Sequence, residues 1–180
     1  WERLETGELT REQVMLGRFH EFFESEGLPT DQVKVFNDEY QIRLGDKAFF
    51  CDHGDELVKQ LKATVKQYAV TNGTTVAQER KLRFSGLDQL LDGVFISEQV
   101  GVDKPQKAFF EAVWNEIGSY APDEVVIVGD SLTSDIRGGK NAGILTCWYN
   151  PDHLPNKIEV TPDCTIDNLQ DILSYLDESR

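Results

Sequence analysis

Residues 124–135 run EVVIVGDSLTSD. Val125 to Gly129 is apolar or glycine throughout, too short and too β-branched for a globular helix. It predicts a strand buried on both faces of a parallel sheet. At its carboxyl end come Gly129, Asp130 and Ser131, and a second carboxylate, Asp135, follows five residues after Asp130. In open α/β sheets, ligands bind in the crevice outside the carboxyl ends of the strands. A carboxylate placed there meets a ligand yet is backed by a rigid strand. Two of them, on a turn entering a helix, suit a hard cation such as Mg²⁺, which takes a few carboxylate oxygens and keeps several waters. An isolated GDS after a strand also fits a tight turn with a helix N-cap. The surrounding chain has to decide.

Outward from this stretch, strands alternate with helices. On the amino-terminal side, Asp55 to Lys62 predicts an amphipathic helix and Val65 to Val70 a strand ending in Thr71-Asn72-Gly73. Thr75 to Phe84 predicts a helix closed by Gly86, Gly93 to Ile96 a short strand, and Gln106 to Ile117 a helix. On the carboxyl side come a helix over about Ser134 to Ala142, a strand from Ile144 to Tyr149, a strand over Cys164 to Ile166 and a helix over Leu169 to Leu176. This alternation implies right-handed crossovers and a parallel, doubly wound sheet. Residues 1–50 read differently, as helices only. Thr10 with Gln13 is a capping-box signature, followed by Met15, Phe19, Phe22 and Phe23 on one face. A second helix, from Thr30 or Asp31 to Gly45, carries a stripe of Val33, Phe36, Tyr40 and Leu44, expected to pack against the first. A chain beginning on Trp1, inside helical-looking sequence, lacks a natural start.

The composition narrows the function classes. Across 180 residues the formal net charge is −14, with 39% hydrophobic and 28% charged residues. That balance argues against a nucleic-acid partner, so an anionic substrate must be drawn in by a local site or a bound metal. No apolar run approaches the ~18 residues of a membrane span. Cys51, Cys147 and Cys164 show no CxxC spacing, and their odd count fits a reducing cytoplasm.

Compared with one another, the strand ends are chemically complementary. One offers Thr71, Asn72 and free backbone N–H groups, another leads to Lys104 fixed by Pro105, and the third ends in Asp130. A hydroxyl, an ammonium and metal-binding carboxylates in one crevice suit a phosphoryl group. The arrangement resembles the haloacid dehalogenase-like (HAD) superfamily of phosphohydrolases over essentially the whole chain. Thr71 matches the family's second motif, Lys104 its third, and Gly129-Asp130 with Asp135 its fourth. Ser97-Glu98, Gly101 and Lys104-Pro105 are specific to it, as are Gly138-Gly139 and Asn141-Ala142-Gly143 followed by Thr146-Cys147-Trp148. The latter run, with Asn150, looks like the bacterial pyrimidine 5′-nucleotidase subgroup, whose helical cap is inserted after the first strand.

The resemblance implies a Rossmann-like parallel sheet with an α-helical cap, residues 1–50 forming part of the cap and 51–180 the core. It implies a Mg²⁺-dependent phosphomonoesterase acting through an aspartyl-phosphate on a small phosphorylated substrate, a nucleoside monophosphate. Asp130 would ligate Mg²⁺, Thr71 and Asn72 would bind the phosphate, Lys104 would steady phosphate and nucleophile, and Asp135 would support either the metal site or Lys104. One family feature is absent. The hhhhDxDxT stretch that ends the first strand and supplies the nucleophile has no match, and no Asp-x-Asp pair occurs in the chain. The expectation is therefore a protein represented without its first strand, inactive as this chain alone and partnered by a missing N-terminal segment of the same protein. The alternative is a non-catalytic phosphate- or nucleotide-binding domain.

Overall fold

The computed structural model describes residues 2–5, 8–118 and 120–178, so Trp1 lies outside the described residues. A short helix α1 (Glu2–Glu5) precedes α2 (Arg11–Ser25), which Thr10 opens with the expected capping box. Gly27, at φ +65, turns the chain towards a 3₁₀ turn (Thr30–Gln32) and α3 (Val33–Gly45). Phe19 and Phe23 of α2 meet Phe36 edge-on at 5.0 and 5.2 Å between ring centroids, and Phe19 meets Tyr40 at 5.1 Å. The aromatic stripe thus joins the two helices as expected, yet Phe36 and Tyr40 remain partly open to solvent. The buried stripe of α3 is Val33, Asn37, Gln41 and Gly45, one turn apart and polar in its middle. Gly45 lies so close to the helix that carries Arg80 that a Cβ there would sit 2.5 Å from the Cβ of Arg80.

The α/β part runs α4 (Gly54–Leu61), β1 (Tyr68–Thr71), α5 (Thr75–Ser85), β2 (Gly93–Ile96), α6 (Ser97–Val100), α7 (Lys107–Ile117) and β3 (Val126–Gly129). A π-helical turn (Leu132–Ile136), α8 (Arg137–Ala142), β4 (Leu145–Tyr149), β5 (Cys164–Ile166) and α9 (Ile172–Glu178) follow. All pairings are parallel, but they form two pieces: β1 with β2, and β3 with β4 and β5. The strand expected over Val65 to Val70 begins three residues late. The Val65 N–H donates to the Leu61 carbonyl and continues the turn of α4, so pairing starts where Tyr68 meets Gly93. The strand expected to be buried on both faces is not: Ile127 is buried, whereas Val128 is 39% exposed. Among the described residues β3 pairs with β4 alone, so one of its edges is open.

Two apolar clusters hold these pieces. Phe109, Phe110 and Val113 of α7 pack with Ile127 and Ile144 on one side. Leu57, Cys147, Ile166 and Ile172 pack together on the other. The Gly138-Gly139 pair in α8 is explained by proximity. A Cβ at 138 would lie 2.9 Å from the Phe110 ring, and one at 139 would lie 2.6 Å from Ile127 and Thr146. Any side chain there would push α8 off the sheet and shift the turn that carries Asp135.

Candidate active site

The carboxyl ends of β1 and β3 do converge, and a buried lysine joins them. Lys104, 4% exposed, lies beyond α6 in the loop before α7, and its peptide bond to Pro105 is cis. Its ammonium Nζ donates to the Val70 carbonyl on β1 at 2.8 Å and to Asp135 Oδ1 after β3 at 2.6 Å. The lysine therefore bridges the two pieces of sheet. Burying an ammonium is costly unless a carboxylate and good acceptors surround it, and both are present.

Both oxygens of Asp135 are engaged. Oδ1 takes the lysine, and Oδ2 accepts the Ser131 N–H at 3.1 Å. Of the two roles open to it, the geometry is that of a partner for Lys104. The carboxylate fits because residue 129 is glycine, where a Cβ would come within 2.4 Å of it. A π-helical turn carries it: the Ile136 N–H reaches back to the Ser131 carbonyl at 3.1 Å, and the Ser131 hydroxyl accepts the Ser134 N–H. Such turns add one residue to a helical turn and re-aim the side chains they carry. Asp130 differs from Asp135 in every respect. It is exposed, and its main-chain carbonyl is held by the Trp148 indole N–H at 3.0 Å. Its carboxylate, unlike that of Asp135, is not drawn into the Lys104 ion pair.

Thr71 ends β1 with its hydroxyl accepting the Gly73 N–H at 3.1 Å, which fixes the turn that leaves the strand. The Asn72 side chain is engaged at both ends by Lys104. Its Nδ2 donates to the lysine's carbonyl at 2.8 Å, and its Oδ1 accepts the lysine's N–H at 2.9 Å. Asn72 thus fixes the backbone from which the ammonium projects. Other motif residues brace one of these loops and the strands behind them. Asn141 donates to the Pro105 carbonyl at 2.9 Å, and buried Thr146 bonds Asp163 through both its N–H and its hydroxyl at 2.8 Å.

One residue had no sequence signal. Arg11, the first residue of α2, donates to the carbonyls of Asn72 and Gly73 at 2.8 and 3.2 Å and to the Ser97 hydroxyl at 2.5 Å, and it pairs with Asp103. It ties the helical hairpin to both loops that carry the strand-end groups. Its partners lie 61 to 92 residues away, beyond the reach of any local pattern.

The donors available to a cation are few. No group of three or more His, Cys, Asp or Glu among the described residues is arranged to hold a metal. With Asp135 engaged by Lys104, Asp130 is the strand-end carboxylate left to face a cation. One carboxylate is compatible with Mg²⁺, which commonly relies on one or two carboxylates, water and substrate phosphate, and incompatible with an all-protein cage.

Comparison with known proteins is consistent with this geometry. A family model described as haloacid dehalogenase-like hydrolase matches residues 3–143. A HAD-hydrolase of Bacillus subtilis, YfnB, is 35% identical over 98% of this chain and 74% of its own length. The pyrimidine 5′-nucleotidase PynA of Streptococcus pneumoniae is 34% identical over 99% of this chain and 76% of its own. YjjG of Escherichia coli, also a pyrimidine 5′-nucleotidase, is 30% identical over 98% and 77%. A crystal structure of the B. subtilis protein bound to magnesium superposes with a TM-score of 0.92, covering 98% of this chain and 77% of that one.

Proposed function

From the chain's membership of the haloacid dehalogenase-like hydrolases, which the family match over residues 3–143 shows, we propose that it forms the greater part of a Mg²⁺-dependent 5′-nucleotidase. The substrate is a nucleoside monophosphate, a pyrimidine one by analogy with two relatives. The observation that carries the reading is the buried Lys104, held between Val70 and Asp135 at the mouth where Thr71 ends its strand. An ammonium kept dry, aimed by Asn72 and set beside a loop of N–H donors is a device for a doubly charged phosphoryl group. In this site the Thr71 hydroxyl and the adjacent N–H groups hold the phosphoryl oxygens. Lys104 neutralises charge on the phosphate and on the carboxylate that attacks it, Asn72 serves the phosphate by fixing Lys104, and Asp135 holds the ammonium in place. Mg²⁺, held by Asp130 and water, would supply further positive charge against a phosphoryl oxygen.

Residues 1–50 act as part of the cap and 51–180 as the core; the aromatic contacts that join α2 to α3 support a helical unit there, and α3 packs across the division onto α5. The attacking aspartate, which becomes the aspartyl-phosphate, and its acid–base partner belong to an hhhhDxDxT segment outside residues 1–180. The open edge of β3 supports a place for the strand of that segment. Three free cysteines favour the cytoplasm, and no helix among the described residues is long and apolar enough to cross a membrane.

The test is Asp130→Asn in the intact protein. Asp130 is exposed, so the melting temperature should hold while Mg²⁺ affinity falls and turnover drops at least ~100-fold. Unchanged turnover, or turnover indifferent to a chelator, overturns the assignment.

A further inference from the structure

A cavity of about 520 Å³ lies between the helical hairpin and the α/β part, beside the strand-end loops. Arg11 lines it and also grips the Asn72 and Gly73 carbonyls, so the cavity adjoins the loop assigned to the phosphate. Thr74, at the start of α5, lines it as well. Its size falls within the range of small-molecule clefts, about 300–1,000 Å³.

Five charged residues line its wall, Arg11, Glu12, Lys34, Asp38 and Glu98, and most of them are engaged. Arg11 pairs with Asp103, Lys34 pairs with Asp38 at 2.7 Å, and Glu98 accepts the Thr75 N–H at 2.7 Å. The groups left with weak partners are two amides of α3, Asn37 and Gln41, 8% and 7% exposed. The Gln41 Nε2–H reaches Asn37 Oδ1 only at 3.5 Å, and the Asn37 Nδ2–H reaches Asp38 Oδ1 only at 3.4 Å. Both distances lie at the long limit of a hydrogen bond. Gln41 Oε1, by contrast, firmly accepts the Thr74 hydroxyl at 2.9 Å. Helix α3 therefore keeps two buried amides facing the cavity while it leaves Phe36 43% exposed. Packing alone would favour the opposite choice, because a buried polar group without a good partner costs stability. Apolar Met15, Leu16, Ile42 and Val76 complete the walls.

We infer that this cavity is a nucleobase pocket in which Asn37 and Gln41 read the edge of the base. The inference rests on the phosphohydrolase reading above and deepens it by assigning specificity. A neutral ring with donors and acceptors on one edge and apolar faces matches two amides set beside the apolar side chains of this cavity. An amide offers both a donor and an acceptor, as such an edge requires. Arg11 separates this end of the ligand from the phosphate end and positions the loop between them.

The test compares uridine 5′-monophosphate, ribose 5-phosphate and uridine on the intact protein with Mg²⁺. Gln41→Glu retains the acceptor for Thr74, replaces the amide donor by an acceptor and adds a negative charge; Asn37→Leu, matched in shape and apolar, is the second variant and adds no charge. The wild type should prefer the nucleotide over ribose 5-phosphate by at least ~10-fold in kcat/KM, and each variant should lose most of that preference with ribose 5-phosphate unchanged. Uridine, which lacks the phosphate, should bind the wild type and bind the Gln41→Glu variant ~10-fold more weakly. Equal use of nucleotide and ribose 5-phosphate by the wild type, or a preference that survives both substitutions, overturns the pocket and leaves the phosphatase standing. If no phosphate ester is hydrolysed, the phosphatase reading falls. Uridine binding then decides the pocket: its loss in Gln41→Glu supports it, and no binding to the wild type overturns it.

Discussion

Lys104 and Asp135 show what burial does to a charge pair. Both are nearly inaccessible, and each supplies the other's counter-charge at 2.6 Å. Desolvation opposes such a pair, so its value lies less in net stability than in the cost of breaking it. Lys104→Met should therefore destabilise the intact protein by about 3 kcal/mol or more, read from denaturant unfolding, because Asp135 keeps its charge and loses its partner. Replacing both, as Lys104→Met with Asp135→Leu, should recover most of that loss while phosphate hydrolysis stays abolished. A double variant as unstable as the single one would show that the lysine's bond to Val70, not the ion pair, carries the stability. The positions of Thr71 at the end of β1 and of Asp130 just past β3 were legible in the sequence because a recognisable strand leads to each, and Lys104 was marked by the Pro105 that follows it. The site of Arg11 was not, since nothing near residue 11 specifies that its partners will be Asn72, Ser97 and Asp103. The double engagement of Asn72 by the Lys104 backbone was equally invisible, being a product of loop conformation.

Among the elements, one carboxylate ties β4 both to α8 and to the start of β5. Asp163, just before β5, accepts the Thr146 N–H and hydroxyl and pairs with Lys140 of α8 at 2.6 Å. Burial alone would raise its pKa, but the hydrogen bonds from Lys140 and Thr146 outweigh it and hold the carboxyl below its ordinary 3.8. A carboxyl depressed in the folded state contributes stability that is present above its unfolded pKa and is lost as pH falls through the folded value. Asp163→Ala should thus cost about 2 kcal/mol near neutrality, leaving the O–H of the fully buried Thr146 without its acceptor. The gap between variant and parent in urea unfolding should narrow as the pH falls below 3.8. A gap that stays constant across that range would mean the ionised form contributes nothing. Element existence was readable from hydrophobic period and caps: Gly93–Ile96 and Cys164–Ile166 begin and end where expected, and Thr10 caps α2. What local pattern misjudged was β1, because Val65 looks like a strand residue yet continues the turn of α4. It also misjudged α3, whose most apolar stripe is not its most buried one.

On the scale of the whole molecule, alternating strands and helices gave the parallel α/β architecture, and the run of helices before residue 50 gave the cap. Pairing is a different matter, because periodicity says that a strand exists and not which edge it finds. The two sheet pieces, with Lys104 reaching from the Val70 carbonyl of one to the Asp135 carboxylate of the other, emerge only in three dimensions. An open strand edge presents unpaired N–H and C=O groups that a further strand can take up. The chain brings together the loop of Thr71 to Gly73, a buried lysine and an exposed strand-end carboxylate, but has no Asp-x-Asp pair. Phosphate release from a pyrimidine nucleoside monophosphate with Mg²⁺, by purified residues 1–180 with and without a peptide carrying an hhhhDxDxT strand, tests this division of labour most directly. Turnover only in the presence of the peptide, abolished by Asp130→Asn, is the predicted result; metal-dependent turnover by residues 1–180 alone would contradict it.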